Sequence, residues 1–244
     1  MHIDLGADHR VYTAFSSGTA SVAEMVTAAE AAGLHRLVVA DAADSRTTWL
    51  PAYLAAVGRA TPRTAVSVHV GLTVRVVDTT GRLDLPQSLS GVEYLVLSTE
   101  SLVLPAARRR AGDIVGTPSG GPPLRVDPAD ILVGAVCRGL AQATVWGQPI
   151  LADPFAPLRR LGLSETGLRP DLLHTLAHAC RQAGAAVEIN EQRRSPSLAA
   201  AVALAAVGVP LLAASGARTQ AELGPGEYVR SVAEATTPRD YAAI

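Results

Sequence analysis

Ser21-Val22-Ala23-Glu24-Met25-Val26-Thr27-Ala28-Ala29-Glu30-Ala31-Ala32-Gly33-Leu34-His35-Arg36-Leu37-Val38-Val39-Ala40-Asp41 holds one complete helix-then-strand unit. Ser21 stands before an apolar-periodic run with Glu24 three residues on, the spacing at which two side chains cap a helix start reciprocally. This predicts a helix over Val22–Ala32. Gly33 is its stop, because glycine takes the left-handed conformation of a helix end without steric cost. Leu37–Asp41 then reads as a strand buried on both faces, apolar until its closing acid.

The alternation recurs in both directions from this unit. Strands are expected at His2–Leu5, Ala65–Val70 running on to Val77, Glu93–Ser98, Pro149–Asp153, Ala185–Asn190 and Pro210–Ser215. Helices are expected at Trp49–Arg59, Pro128–Trp146, Pro170–Ala183 and Ser197–Ala206, and around Gln220–Leu223, with Gly184 and Gly208 as further stops. Alternating β and α units build a parallel sheet, open or closed. No dinucleotide-binding glycine fingerprint follows the first strand, which favours closure into a distorted TIM-like barrel, an α/β fold in a single domain. The barrel is expected over residues 1–227 and a C-terminal extension over 228–244. A Gly/Pro/Arg-rich loop at 105–127, with Arg108-Arg109-Arg110 and Gly116–Pro123, breaks the rhythm. A loop of roughly twenty residues reads as either a functional lid or a disordered segment.

Composition narrows the function classes. The chain has 244 residues, enough for a full core, and is 48% hydrophobic with mean hydropathy +0.24. It has no apolar run long enough for a membrane span and no basic-then-apolar leader at its start, so a cytoplasmic location is expected. A net charge of −1 supplies no field for nucleic acid. All 21 basic residues are arginine, which removes Schiff-base chemistry on lysine. Cys137 and Cys180 read as two separate thiols, neither a disulfide nor a metal site. His174 and His178, four apart on a helix, make half a zinc site with no third ligand nearby and read as a solvated face. His69 reads as a hydrogen-bonded structural residue.

Chemistry in a barrel of parallel strands gathers at the C-terminal strand ends, so the residues there matter most. Asp8-His9-Arg10-Val11-Tyr12-Thr13 leads to Ser16 and Gly18, and the second strand ends Val39-Ala40-Asp41-Ala42. The third carries Gly71-Leu72-Thr73, and the fourth ends Ser98-Thr99-Glu100. The fifth reads Ile150-Leu151-Ala152-Asp153-Pro154-Phe155 and the sixth Glu188-Ile189-Asn190-Glu191. The seventh reads Ser215-Gly216-Ala217-Arg218, followed by Glu222-Leu223-Gly224.

In order and spacing, from about residue 2 to residue 224, these segments resemble the motifs of the PHP (polymerase and histidinol phosphatase) superfamily. The first resembles Asp-Leu-His-x-His-Thr, with the metal-binding histidines falling on Arg10 and Tyr12. The second resembles Thr-Asp-His, with Asp41 kept and the histidine replaced by Ala42. The family's bridging glutamate falls on Thr73 and its next histidine on Glu100. Ile-Leu-Ala-His-Pro-Phe has Asp153 in place of histidine, Glu-x-Asn is retained as Glu188 and Asn190, and Ser-Asp-Ala-His ends on Arg218. The resemblance implies a PHP-type distorted (β/α)7 barrel.

The family's metal-dependent phosphoesterase chemistry needs imidazoles and carboxylates converging on divalent cations. Arginine offers only donors and repels cations. No metal and no other cofactor is therefore expected. The expectation is a rebuilt, metal-free polar site for a small anionic molecule, doing acid/base lyase, isomerase, cyclase or hydrolase chemistry. Tyr12, Asp41, Glu100 and Asp153 are its candidate catalytic residues. Arg10, Thr73, Glu188, Asn190 and Arg218 are its candidate binding residues. Arg10 and Arg218 would grip the anion, Tyr12 would donate to an oxyanion, and Glu100 or Asp153, crowded by another acid, would have a raised pKa. One alternative is an inactive pseudoenzyme whose Arg–carboxylate pairs are structural and which serves as an interaction module. Another is a metal-dependent PHP phosphoesterase with atypical ligands. A homo-oligomer or protein partner is compatible with either.

Overall fold

The computed structural model describes residues 2–104 and 127–237. Seven parallel strands follow one another in chain order: β1 (Ala7–Val11), β2 (Arg36–Ala42), β3 (Ser67–Val76), β5 (Tyr94–Ser98), β6 (Gln148–Ala152), β7 (Ala186–Asn190) and β8 (Leu211–Ala214). A two-residue strand, β4 (Leu83–Asp84), pairs antiparallel with β3. It lies in the β3–β5 connection, where a strict repeat would carry a helix. The sheet closes on itself through backbone bonds from Gly216 N to Arg10 O (3.0 Å) and from Tyr12 N to Ala217 O (2.8 Å). The β6–β7 ladder is short, pairing only Ile150 with Ala186 and Leu151 with Val187, and the β8–β1 seam is held by an isolated bridge between Val11 and Ala217. This is a distorted (β/α)7 barrel in one domain, as the β/α alternation predicts.

Helices α1 (Val22–Ala31), α2 (Leu50–Ala60), α3 (Pro128–Ala143), α4 (Ala156–Arg160), α5 (Pro170–Ala183), α6 (Leu198–Ala206) and α7 (Glu227–Thr236) complete the described chain. The Ser21–Glu24 capping box is present, and Gly184 ends α5 in the left-handed region at φ 63°. His174 and His178 are exposed on α5. Leu37, Val39, Leu95, Leu97 and Leu151 belong to the main core, while Val38, Ala40, Tyr94, Val96, Ile150 and Ala152 form a second cluster. The two sets alternate along the same strands, so the first faces the helices and the second fills the barrel.

Three expectations need correction. The first strand lies at Ala7–Val11, not His2–Leu5. Its Asp8-His9-Arg10 centre looks unlike a buried strand, yet all three are buried because each has internal partners. His9 Nδ1, for example, bonds Ala213 O at 3.1 Å. The C-terminal segment is not an appendage as far as Thr237. Its helix α7 buries Val229, Val232 and Ala233 against the barrel, so the boundary at 227/228 cuts through one packed unit. Helix α4, which was not expected, follows β6 directly. The proposed loop at 105–127 lies outside the described residues except for Asp127, the N-cap of α3.

Candidate functional site

The strand ends form two layers. Beneath lies a buried ionic knot. Arg10 on β1 is 2% exposed, and its Nη2 stands 2.8 Å from Glu188 Oε1 on β7 and 3.4 Å from Asp153 Oδ2 after β6. Asp153 and Glu188 are 1% and 0% exposed. Asp153 has φ 47°, a left-handed backbone uncommon for any residue with a side chain. Asn190 donates from Nδ2 to Glu188 Oε1 (3.3 Å) and accepts from Arg193 N (2.8 Å), tying the turn after β7 to the knot. Arg10 Nε, Asp153 Oδ1 and Glu188 Oε2 are buried without a hydrogen-bond partner among the described residues.

With both acids ionised, the buried Arg10 guanidinium would face two carboxylates, with Arg193 reaching only Asp153, from the cavity side. Burial drives Glu188 up to about 8, with Asp153 adding to the rise and Arg10 opposing it. Burial also works against the charge on Arg10, but the attraction of Glu188, then of Tyr12 and Asp153, outweighs it and raises its pKa.

Above it lies a cavity of about 290 Å³ at the barrel mouth. Tyr12, Thr73, Glu100, Arg193 and Arg218 line it, with Ser98 and Arg75. Two guanidiniums stand over the Tyr12 ring, Arg10 Cζ 5.7 Å and Arg218 Cζ 5.9 Å from its centroid. Arg218 has no carboxylate within ion-pair distance among the described residues. Gly18 sits so close to the first motif that a Cβ would lie 2.3 Å from Tyr12 O, so the turn that carries Tyr12 admits no side chain there. Larger grooves, of about 480 and 590 Å³, lie outside the barrel and include none of the candidate strand-end residues.

Several expected roles change. Arg10 does not reach the mouth, so it forms no clamp with Arg218; its partners are the knot's acids. Asp41 is a buried tether, accepting from Thr13 N (2.9 Å), Thr13 Oγ1 (2.6 Å) and Ser16 Oγ (2.5 Å). Burial raises its pKa while those hydrogen bonds oppose the rise, and it does not line the cavity. Thr73 lines the wall but spends its hydroxyl on Ala40 O (2.8 Å). Glu100, one of the two acids of which one is expected to be raised, is lowered, because Arg193 Nη1 bonds its carboxylate at 2.7 Å. Glu188 is raised instead, and it is sealed off.

Two residues went unrecognised in the sequence. Arg193, two positions beyond Glu191, bridges Glu100 and Asp153 (Nε–Oδ2 3.5 Å). Its position just past a strand end was the available signal. Asp8 is fully buried and accepts from Ser215 N (2.9 Å) and Gly224 N (3.0 Å), joining the first motif to the last. Nothing in a single sequence marks that pairing across more than two hundred residues.

The metal centre implied by the PHP resemblance does not fit these residues. The Arg10 guanidinium stands beside both buried carboxylates, and no three His, Cys, Asp or Glu side chains among the described residues converge to hold an ion.

Comparison with protein-family models and with curated proteins finds no match. Among solved structures the chain is similar to a family 5 xyloglucanase from Paenibacillus pabuli in complex with ligand. The identity is 10%, the TM-score 0.32, and the alignment covers 96% of this chain and 99% of that one. A similarity that distant says nothing of this chain's chemistry. No helix among the described residues is long and apolar enough to cross a membrane.

Proposed function

We propose that the chain is a PHP-like barrel that works without metal and binds a small anion at its mouth. The observation that carries this reading is the division of the arginines. Arg10 is spent inside, where it neutralises buried acids, while Arg218 and Arg193 line an open cavity beside Tyr12 and several hydroxyls. A guanidinium in a partly enclosed site favours a carboxylate, sulfate or phosphate through forked hydrogen bonds. Of the candidate acids only Glu100 lines the cavity, and Arg193 keeps it ionised. The chemistry supported is therefore proton acceptance by Glu100 and donation by the Tyr12 phenol to an oxyanion. Asp41, Asp153 and Glu188 hold the scaffold and touch no ligand.

The test is calorimetric titration with sulfate, phosphate and acetate at low ionic strength, on the parent and on Arg218→Ala. The expected result is saturable binding that Arg218→Ala weakens at least about tenfold, the loss of one charge-assisted contact. Equal affinity in the two proteins would remove the mouth as the anion site. A second reading, an inactive interaction module, is favoured by the complete internal use of Asp41 and by the paired knot. It predicts no anion binding by either protein.

A further inference from the structure

Of the three arginines that line the cavity, Arg75 is paired with Asp84 and Asp44, and the other two, Arg193 and Arg218, are not equivalent. Arg218 carries no acid partner among the described residues, whereas Arg193 is engaged on both sides. Its Nε faces the buried Asp153, and its Nη1 faces Glu100. The Arg193 backbone is tethered by Asn190 Oδ1, and the next residue, Arg194, is held at φ 47°. An arginine in the left-handed region costs free energy that surrounding contacts must offset, and such positions gather at ligand sites. The Glu100 side chain is 49% exposed and that of Arg193 31% exposed, so their bond lies in the open wall of the cavity and not in the knot.

A half-exposed ion pair of this kind contributes little to stability. It does place a carboxylate where an incoming anion would bond the guanidinium. We propose that Glu100 is a built-in competitor: its carboxylate occupies the anion position on Arg193, and a ligand carboxylate, sulfate or phosphate binds by displacing it and meeting Arg218 as well. The proposal rests on the anion reading above and adds what sets affinity. A monoanion replaces one charge on Arg193 by another, so its gain comes from Arg218 alone. A dianion brings one charge more than it displaces and serves both cations. The parent protein therefore favours sulfate over acetate, and removing the Glu100 charge narrows that preference.

The experiment titrates sulfate and acetate into the parent, Glu100→Gln, Arg193→Gln and Arg218→Ala at low ionic strength, with melting temperatures as a check on folding. Glu100→Gln keeps the side chain's size at a half-exposed position and is expected to fold as the parent does. It should tighten sulfate binding by about five- to tenfold and acetate by more, while Arg193→Gln should weaken both. Sulfate affinity unchanged or weaker in Glu100→Gln overturns the competitor role. If that happens while Arg218→Ala still weakens binding at least about tenfold, the anion site stands and only the competitor fails. If neither the parent nor Glu100→Gln binds sulfate, both readings fall together.

Discussion

Arg10 and Glu188 together decide what the strand ends are for. In Arg10→Ala two acids lose their internal cation, and breaking a buried pair in this way costs about 3–5 kcal/mol. Denaturant unfolding of that variant should show such a drop. Glu100→Gln, at a half-exposed pair, should stay within about 0.5 kcal/mol of the parent. A parent-like Arg10→Ala would mean that the knot is not a cross-link. Glu188 adds a pH dependence. Its folded pKa, about 8, lies above its ordinary value of 4.5, so the folded state binds the proton more tightly than the unfolded chain. That stability is complete below the ordinary value and is lost as pH rises through about 8, by roughly 1.4 kcal/mol for each pH unit crossed in between. The Glu188 contribution should therefore lower the melting temperature between about pH 4.5 and about pH 8. In Glu188→Gln, which stays neutral throughout, that fall should be shallower by the Glu188 contribution; an identical profile in both proteins would place the proton elsewhere.

At the scale of elements, α7 shows how the barrel secures its last helix. Glu191, directly after β7, accepts from Tyr228 N (3.1 Å) and Val229 N (2.8 Å) through its two carboxylate oxygens. It thus caps a helix more than thirty residues away, where a local N-cap would ordinarily serve. Gly226 makes room for it, since a Cβ there would lie 2.5 Å from the Glu191 carboxyl. The Glu191 carboxylate also meets the positive end of the helix dipole. Glu191→Ala should cost about 0.5–2 kcal/mol and expose the α7 amides first. Hydrogen exchange reads this directly: faster exchange at Tyr228 and Val229 with β7 still protected is the expected pattern, and unchanged protection would deny the cap. Asp8 works similarly across the closing seam, joining β1 to Ser215 and Gly224. Neither tether follows a sequence-local pattern, which is why α7 reads as an appendage from the sequence.

For the whole molecule, the ionic knot predicts that protein purified without chelator carries no stoichiometric zinc, manganese or iron by elemental analysis. Two or more tightly bound equivalents would overturn the metal-free reading. The barrel itself was legible in the sequence because its signals are local. Ser21 with Glu24, the stop at Gly33 and the apolar run Leu37–Val39 each act within a few residues, and repetition of such units leaves a parallel sheet as the economical arrangement. The strand ends were legible as a set, since a parallel barrel brings them all to one mouth. Which of them face the cavity was not. Arg10 and Arg218 look alike in the sequence, yet one is enclosed by Glu188 and Asp153 and the other is exposed. Asp41 and Glu100 look equally available, yet Thr13 and Ser16 consume the first. Burial and pairing are set by residues far apart in the chain, so only the closed tertiary structure decides which charges neutralise one another and which stay exposed at the mouth.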